Sequence, residues 1–193
     1  MITQTHYKES DAALSLSRSL GLLFRSIGER PVVIVCIGTI KAIGDALGPM
    51  IGTLLEDLSL DSSIFIHGTI KQPVHALNLE ETMLLIHTIY EQPYIVAIDA
   101  SLGHLHHIGY IQLLEGPLLP GSSLKKQLPP VGDIHMKAIV NSIGPYNYMM
   151  LQTANEKAVR GMAKVIASAL VGASALRNSW QKKAVDGMEP NPC

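Results

Sequence analysis

The sequence contains little of what marks a secreted, membrane-spanning or nucleic-acid-binding protein. Its two cysteines, Cys36 and Cys193, are too few for a disulfide framework and indicate a reducing compartment. The formal net charge is −1, so no basic excess predicts contact with nucleic acid or an anionic membrane. No unbroken apolar run reaches the roughly 18 residues of a transmembrane helix, and the N-terminal residues do not match a signal peptide. We therefore expect a cytoplasmic protein that binds neither nucleic acid nor membrane.

The short motifs of nucleotide-binding proteins and serine hydrolases are also missing. Gly38–Gly44 follows an apolar run, but it does not match G-x-G-x-x-G and has no Lys-Ser/Thr pair after its second glycine. No G-x-S-x-G element occurs. Cys36 lies inside the apolar run Val32–Gly38, where a thiol stays protonated and unreactive. The sequence therefore predicts no cofactor and no serine or cysteine nucleophile.

The remaining pattern is typical of an α/β protein. The chain has 193 residues, 47% of them hydrophobic, which suits a single domain over residues 1–193. Periodicity predicts helices over 10–27, around 49–58, over 78–90 and over 147–176. It predicts strands over 31–38, 63–67, 93–98, 110–114 and 135–140. Because strands and helices alternate, we expect a three-layer α/β/α fold with a mostly parallel central sheet, followed by a loose tail over 186–193.

Two aspartates follow strands that we expect to be neighbours. Asp45 comes after the first strand and a short loop, and Asp99 ends the third strand. If the strand order is second, first, third, both carboxylates lie in the crevice at the carboxyl ends of the strands. Such a pair shares a proton, so one member can activate a water while the other protonates a leaving group. The alternatives are a divalent cation site and, for Asp45, capping of the helix beginning near Leu47.

Histidines offer the other candidate chemistry. The run His104-Leu-His106-His107 suggests metal ligands, but no cysteine or acid stands at ligand spacing within it. We interpret that run as a solvated loop and predict no metal site. His75 stands between a strand and a helix, where it is either a hydrogen-bonded turn residue or lies at the edge of a site. The Pro/Gly-rich stretch 116–132 is predicted to be an ordered surface loop.

Several motifs, in order, resemble the YyaC-type sporulation proteins of endospore-forming bacteria. They span about residues 30–170. The motifs are Cys36-Ile-Gly-Thr39, Gly44-Asp-Ala-Leu-Gly-Pro49, Gly52, Gly68-Thr69, Pro73-Val-His-Ala-Leu-Asn-Leu79, Ala97-Ile-Asp-Ala100, Gly116-Pro-Leu, Pro120-Gly121, Leu128-Pro129, Val131-Gly-Asp-Ile134 and Ile139-Val-Asn141. That family resembles the spore germination protease and, more distantly, the hydrogenase maturation proteases, which implies a phosphorylase/hydrolase-like fold.

The resemblance implies a peptidase acting in sporulation or germination. The germination protease carries matching D-A-L-G-P and A-I-D-A elements whose aspartates are its proposed catalytic pair, which implies the same role for Asp45 and Asp99. The substrate cleft would be shaped by Gly38, Thr39, Thr69 and His75. The implied partner is a protein or peptide substrate, with small acid-soluble spore proteins as candidates. The implied location is the cytoplasm of the forespore or the spore core.

The chain departs from the family pattern next to both aspartates. The usual Gly-Thr-Asp-Arg-Ser-Thr-Gly-Asp is here Gly38-Thr-Ile-Lys-Ala-Ile-Gly-Asp45, and the usual Cys-Leu-Gly-Arg after Asp99 is Ser101-Leu-Gly-His104. The apolar segment Ile40–Ile43 favours a second hypothesis, a catalytically inactive sporulation protein that binds a partner. A third hypothesis is a nickel-dependent maturation-type endopeptidase, with His135 or a histidine of 104–107 as the additional ligand. The sequence predicts no oligomeric state.

Overall fold

The computed structural model describes residues 1–58, 60–120 and 128–186, in which one mixed sheet separates two helical layers. The strands are β1 Thr3–His6, β2 Val32–Cys36, β3 Ile64–His67, β4 Tyr94–Gly103, β5 Tyr110–Glu115 and β6 Ile134–Ser142. The helices are α1 Ala12–Ser26, α2 Leu47–Glu56, α3 Leu79–Ile89, α4 Asn147–Gln152 and α5 Glu156–Asp186, with a short 3₁₀ turn at Leu105–His107.

The order of strands in the sheet is β1-β5-β6-β4-β2-β3. Strands β3, β2, β4 and β6 run parallel, whereas β5 and β1 are antiparallel to their neighbours. The arrangement β3-β2-β4 confirms the predicted order of second, first and third strand. Helices α1, α2 and α5 contribute to the core on one face, and α3 with the loop residues Leu118 and Val131 covers the other. The predicted three-layer fold with a mostly parallel sheet is confirmed.

The central strands are apolar along their whole length because both of their faces are covered. Every residue of β2 is buried. Val32, Ile34 and Cys36 pack into the core of α1, α2 and α5, while Val33 and Val35 pack on the α3 side. Helix crossovers cover both faces of a parallel sheet, so the two-residue alternation of an exposed strand is lost. Residues 94–98 of β4 are buried in the same way. Because side chains alternate between the two faces of a strand, these residues also determine which face the later residues of β4 occupy.

Strand β4 is longer than predicted, and Asp99 lies within it rather than at its end. The neighbour β6 continues to pair with β4 from Asp99, opposite Lys137, as far as Gly103. On the other side, β2 stops at Cys36, opposite Ile98. Asp99 is therefore the first residue of β4 that has a strand on only one side. The apolar run ended at Ile98, but the backbone pairing did not, which is why the sequence pattern placed the end too early.

Strand β1 was not predicted from the sequence. Its four residues, Thr3–His6, are polar and pair antiparallel with β5 at the edge of the sheet. An edge strand with one solvated face lacks the apolar run that identified the central strands. Thr3–His6 is therefore a strand because it hydrogen-bonds to β5, although its polar composition alone is typical of a loop.

The predicted single helix over 147–176 is two helices, with a break at residues 153–155. Asn155 accepts a hydrogen bond from the backbone N–H of Ala158 (3.1 Å), the contact typical of a helix N-cap, so α5 begins anew at Glu156. The side chain of Asn141 on β6 donates to the carbonyl of Met150 (2.8 Å) and ties α4 to the sheet. The break allows α4 to lie beside the carboxyl ends of the strands, which the sequence pattern did not reveal.

Helix α5 is the one described segment that is long and apolar enough by length and composition to span a membrane, over Glu156–Gln181. Half of that window is buried inside the protein, where it packs against α1 and α2. Burial against neighbouring helices thus accounts for much of its apolar composition. Most of the predicted loose tail over 186–193, and the middle of the predicted loop over 116–132, lie outside the described residues.

Candidate functional site

Asp45 and Asp99 line the same cavity at the carboxyl ends of β2 and β4, as the strand order predicted. The cavity has a volume of about 220 Å³. The cavity opens there because the chain after β2 separates from β4. Ile37 still donates its N–H to the carbonyl of Ile98 (2.7 Å), but Gly38 donates its N–H to the carbonyl of Val74 instead (2.8 Å). Ligands of parallel α/β sheets bind at such a point, where neighbouring chains leave the sheet in different directions.

A tight loop after β2 holds Asp45. The backbone N–H of Thr39 donates to the carboxylate Oδ2 of Asp45 at 3.1 Å, which closes the loop. Gly38 has a positive φ of 147°, and a Cβ at this position would overlap the carbonyl oxygen of Asp45. The predicted role of Asp45 as a helix cap is wrong, because Ala46 occupies the N-cap of α2 and no side chain caps that helix. The carboxylate therefore faces the loop and the cavity.

Asp99 lies on the α3 side of the sheet, since Ile95 and Ala97 of the same strand pack there and side chains alternate along a strand. Its pKa is raised from 3.8 to about 8. Burial in the fold is the main cause, and the charge of Asp45 is the second. A backbone hydrogen bond at Ala100 and the cation of Lys137 lower this pKa in part. At neutral pH the carboxyl of Asp99 is therefore protonated.

The pKa of Asp45 is also raised, with burial as the main cause. The hydrogen bond from Thr39 and the proximity of His75 oppose that rise. The charge of Asp45 raises the pKa of Asp99, whereas Asp99 has no such effect on Asp45, so Asp45 ionises first and Asp99 keeps the proton. The two groups form an unequal acid pair, one a carboxylate and the other a carboxylic acid.

His75 lies in the turn between β3 and α3 and lines the cavity beside Asp45. Its backbone N–H donates to Oδ1 of Asn78 (2.7 Å), and Asn78 donates to the carbonyl of Pro73 (3.0 Å). Asn78 stands at the N-cap of α3, as predicted, but its side chain secures this turn instead of the helix backbone. The Nδ1 atom of His75 is buried without a hydrogen-bond partner among the described residues. The turn interpretation thus holds for the backbone of His75 but not for its ring.

The structure does not place all of the predicted cleft residues together. Gly38, Thr39 and His75 line the cavity with the two aspartates, whereas Thr69 does not. Thr69 is buried in a turn, where its Oγ1 accepts the N–H of Gln72 (3.1 Å), and it lines a neighbouring cavity of about 380 Å³. His75 lines both cavities and forms the boundary between them.

The sequence did not identify the apolar wall of the cavity. This wall is formed by side chains from four separate segments, and its larger members are Leu77, Leu102, Leu128, Tyr148 and Leu151. Leu77 lies within the motif around His75 and Leu128 begins the motif Leu128-Pro129, but neither motif indicated an apolar wall. Helix α4 reaches the site because Gly44 donates its N–H to the carbonyl of Leu151 (2.9 Å). Such a contact follows from tertiary packing and has no local sequence pattern.

The histidines considered as metal ligands lie away from the cavity. His104, His106 and His107 lie at the 3₁₀ turn after β4; the rings of His104 and His106 are stacked, and those of His106 and His107 meet edge to face with centroids 4.2 Å apart. His135 is buried and its Nδ1 bonds the carbonyl of Gly116 (2.8 Å). None of them lines the cavity, and in the described part of the chain no three histidine, cysteine or acidic side chains are grouped to hold a metal ion. Asp45, Asp99 and His75 are the only potential ligands on the cavity wall as described.

Cys36 offers no alternative nucleophile. Its side chain is fully buried, and burial raises the pKa of the thiol to about 12. A protonated thiol in an apolar core is neither a nucleophile nor a metal ligand. The predicted burial of Cys36 in the apolar core is confirmed. Chemistry at this site therefore depends on the two carboxyl groups and their neighbours.

Comparison with known proteins identifies the family of this chain. Residues 4–169 match the family described as "Protein of unknown function (DUF1256)". "Uncharacterized protein YyaC" of Bacillus subtilis (strain 168) is 34% identical over 183 residues, which cover 95% of this chain and 88% of that protein. In structure, the chain is similar to the NiFe hydrogenase maturation protease HycI from Thermococcus kodakarensis KOD1, with a TM-score of 0.43, 14% identity and coverage of 77% of this chain and 98% of that one. The predicted resemblance to YyaC-type proteins is confirmed, and the chain belongs to the DUF1256 family.

Proposed function

We propose that this protein is a peptidase in which Asp45 and Asp99 activate a water molecule for peptide-bond hydrolysis. One observation carries the proposal: the two carboxyl groups line one cavity at the ends of adjacent parallel strands. Burial, and secondarily the charge of Asp45, raises the pKa of Asp99 to about 8, which supports a protonated Asp99 beside an ionised Asp45. Peptide hydrolysis by such a pair needs a base and an acid at the same time, in neighbouring positions.

Asp45 is the base in this mechanism. Thr39 bonds its Oδ2, so Oδ1 remains for a water proton. The water oxygen attacks the carbonyl carbon while its proton passes to Asp45, and the proton of Asp99 passes to the carbonyl oxygen. The resulting gem-diol then returns a hydroxyl proton to Asp99 as the C–N bond breaks. The proton on Asp45 moves to the leaving nitrogen, which restores the starting state of both carboxyl groups.

The surroundings of the pair favour this chemistry. Apolar side chains such as Leu102 and Leu151 line the cavity next to the carboxyl groups and limit the amount of water around them. Electrostatic interactions are stronger in such a region of low polarity. Lys137, opposite Asp99 on β6, lies near enough to favour the carboxylate that Asp99 becomes after it has given up its proton.

The sequence motifs around both aspartates support a protein substrate. They resemble those of the spore germination protease, so small acid-soluble spore proteins in the forespore or spore core are the first substrates to test. The experiment incubates the purified protein with a mixture of these proteins and identifies cut sites by mass spectrometry. Asp45→Asn and Asp99→Asn should abolish site-specific cuts while circular dichroism shows a normal fold.

Asp57→Asn is the matched control for that experiment, because Asp57 is an exposed aspartate at the end of α2 and does not line the cavity. It should cut like the unaltered protein. Cuts by Asp45→Asn at the unaltered rate would contradict the mechanism. If folded protein cuts none of the spore proteins, and none of a general peptide library, the peptidase proposal is wrong.

A binding module without catalytic activity is the second candidate function. The observation that favours it is the exposure of Ile40 and Ile43, which are 60% and 37% exposed and lie outside the cavity wall. Exposed apolar groups next to a site are typical of a partner surface. The double variant Ile40→Ser/Ile43→Ser should then lose a partner captured from sporulating cells, whereas Leu22→Ser on the distant face of α1 should keep it. Capture that is equal for both variants would exclude this surface.

A further inference from the structure

The cavity around Asp45 and Asp99 has walls that are apolar on nearly every side. Leu77 comes from the turn before α3, Leu102 from β4, and Tyr148 and Leu151 from α4. Among the described residues, the polar side chains on the wall are those of the two aspartates, His75, Thr39 and Lys41, together with the hydroxyl group of Tyr148. A substrate therefore meets polar groups at the reacting centre and hydrocarbon around it.

Two of the wall residues lie at the mouth of the cavity in unusually exposed positions. Leu77 is 80% exposed and Tyr148 is 51% exposed, although both border a concave surface. Burial of such apolar area by a ligand is favourable because water is released from it. At about 220 Å³ the cavity is far larger than the roughly 10–15 Å³ that one water requires, so it has room for a whole side chain.

Charge at the site favours an uncharged occupant. Asp45 and Lys41 carry opposite charges on the same wall, so a charged side chain of either sign is attracted by one and repelled by the other. A charged group of either sign would also lose hydration against the leucines, whose side chains offer it no hydrogen bond. An apolar side chain loses no hydrogen bonds to water when it enters the cavity, and it covers the exposed apolar surface of Leu77 and Tyr148.

We propose that this cavity is a subsite for an uncharged, apolar side chain of leucine or methionine size, carried by an extended polypeptide whose adjacent peptide bond lies at the aspartate pair. This inference rests on the proposed peptidase function for the bond that is cut, but the binding preference can be measured without any cleavage. The side chain enters past Leu77 and Tyr148, and the polypeptide backbone lies across the mouth.

The test uses short fluorescent peptides of glycine, serine and alanine that differ in one central residue: leucine, methionine, glutamine, glutamate or lysine. Their binding to Asp99→Asn, which should not cut them and keeps the charge of Asp45, is measured by fluorescence anisotropy, and their cleavage by the unaltered protein is measured in parallel. The leucine and methionine peptides should bind about tenfold more tightly than the charged ones. Equal binding of all five peptides would overturn the proposal.

Two exposed leucines provide matched variants in the Asp99→Asn background. Leu77→Ser should reduce the preference for the apolar peptides several-fold, whereas Leu84→Ser, on a residue of α3 that is 71% exposed and outside the cavity, should keep it. Equal effects of the two substitutions would contradict the subsite. If the apolar peptides bind preferentially but the unaltered protein cuts none of the peptides, the subsite is supported and the peptidase function is rejected. If the unaltered protein cuts all five peptides equally well, the peptidase function is supported and the apolar subsite is rejected.

Discussion

The backbone N–H of Thr39 donates to both the carboxylate Oδ2 (3.1 Å) and the carbonyl oxygen (3.2 Å) of Asp45. This shared hydrogen bond joins the two ends of the loop after β2 and fixes the carboxylate at the cavity. A donor directed at a carboxylate favours its ionised form, so the same contact that shapes the loop also opposes the effect of burial on the pKa of Asp45.

The charge of Asp45 should be visible in the titration of its neighbour. Asp45→Asn removes the second of the two causes that raise the pKa of Asp99, so this pKa should fall below about 8 yet stay above its usual range because burial persists. Carboxyl ¹³C chemical shifts recorded against pH measure it directly. Asp57→Asn should leave the titration unchanged, and an unaltered Asp99 in Asp45→Asn would show that the two groups do not interact.

Stability should decrease with rising pH because of Asp99. The folded state keeps the proton of Asp99 up to about pH 8, whereas the unfolded chain releases it near pH 4. Between these values the folded state binds more protons, so the free energy of unfolding falls as the pH rises, by on the order of 1 kcal/mol per unit. Urea unfolding between pH 5 and pH 8 tests this, and Asp99→Asn should flatten the dependence. An equal slope in that variant would assign the dependence to other groups.

Cleavage should decline on the alkaline side as Asp99 loses its proton. The mechanism requires the acid form of Asp99, so kcat/KM should fall above about pH 8. On the acidic side it should fall when Asp45 becomes protonated, at a pH above the usual range of an aspartate because the pKa of Asp45 is raised. A rate that is constant through pH 9 would contradict the role of Asp99 as the acid.

The loop geometry should not tolerate a side chain at Gly38. Gly38→Ala meets both a positive φ and an overlap with the carbonyl of Asp45, so it should cost about 1–3 kcal/mol of stability and most of the activity. Gly28→Ala is the comparison, since Gly28 also has a positive φ but open space around it, and this variant should lose stability while it keeps activity. Thermal unfolding and the cleavage assay measure the two effects, and full activity in Gly38→Ala would contradict the account of the loop.

The side chain of Arg177 should be essential for joining α5 to the rest of the fold. It is only 1% exposed and donates to the carbonyls of Phe24 (3.1 Å) and Arg30 (2.8 Å) and to Oγ of Ser63 (3.1 Å). Lysine cannot make three bonds in this planar arrangement, so Arg177→Lys should cost about 2–4 kcal/mol. Arg160→Lys, in an exposed pair with Glu156, should cost well under about 1 kcal/mol by urea unfolding. Similar losses in both variants would contradict this role.

The sequence predicted what depends on apolar runs and strand order. The runs at β2, β3 and β4 identified the parallel strands, and their order brought Asp45 and Asp99 to one crevice. It failed where backbone pairing or tertiary contacts decide the outcome. Pairing with β6 carries β4 beyond Asp99, pairing with β5 makes a strand of Thr3–His6, and a cap at Asn155 divides the last helix. The apolar wall of the cavity could not be predicted because its members come from distant segments.

The two members of the acid pair belong to parts of the molecule that differ in how firmly they are held. Asp99 lies in β4, which pairs with β6 both before and after this residue. Asp45 lies in a loop that is held by backbone hydrogen bonds involving Thr39, Val74 and Leu151. Variation in the separation of the carboxyl groups therefore arises in the loop. Substitutions between residues 39 and 44 can therefore change the acidity of both aspartates while the sheet stays intact.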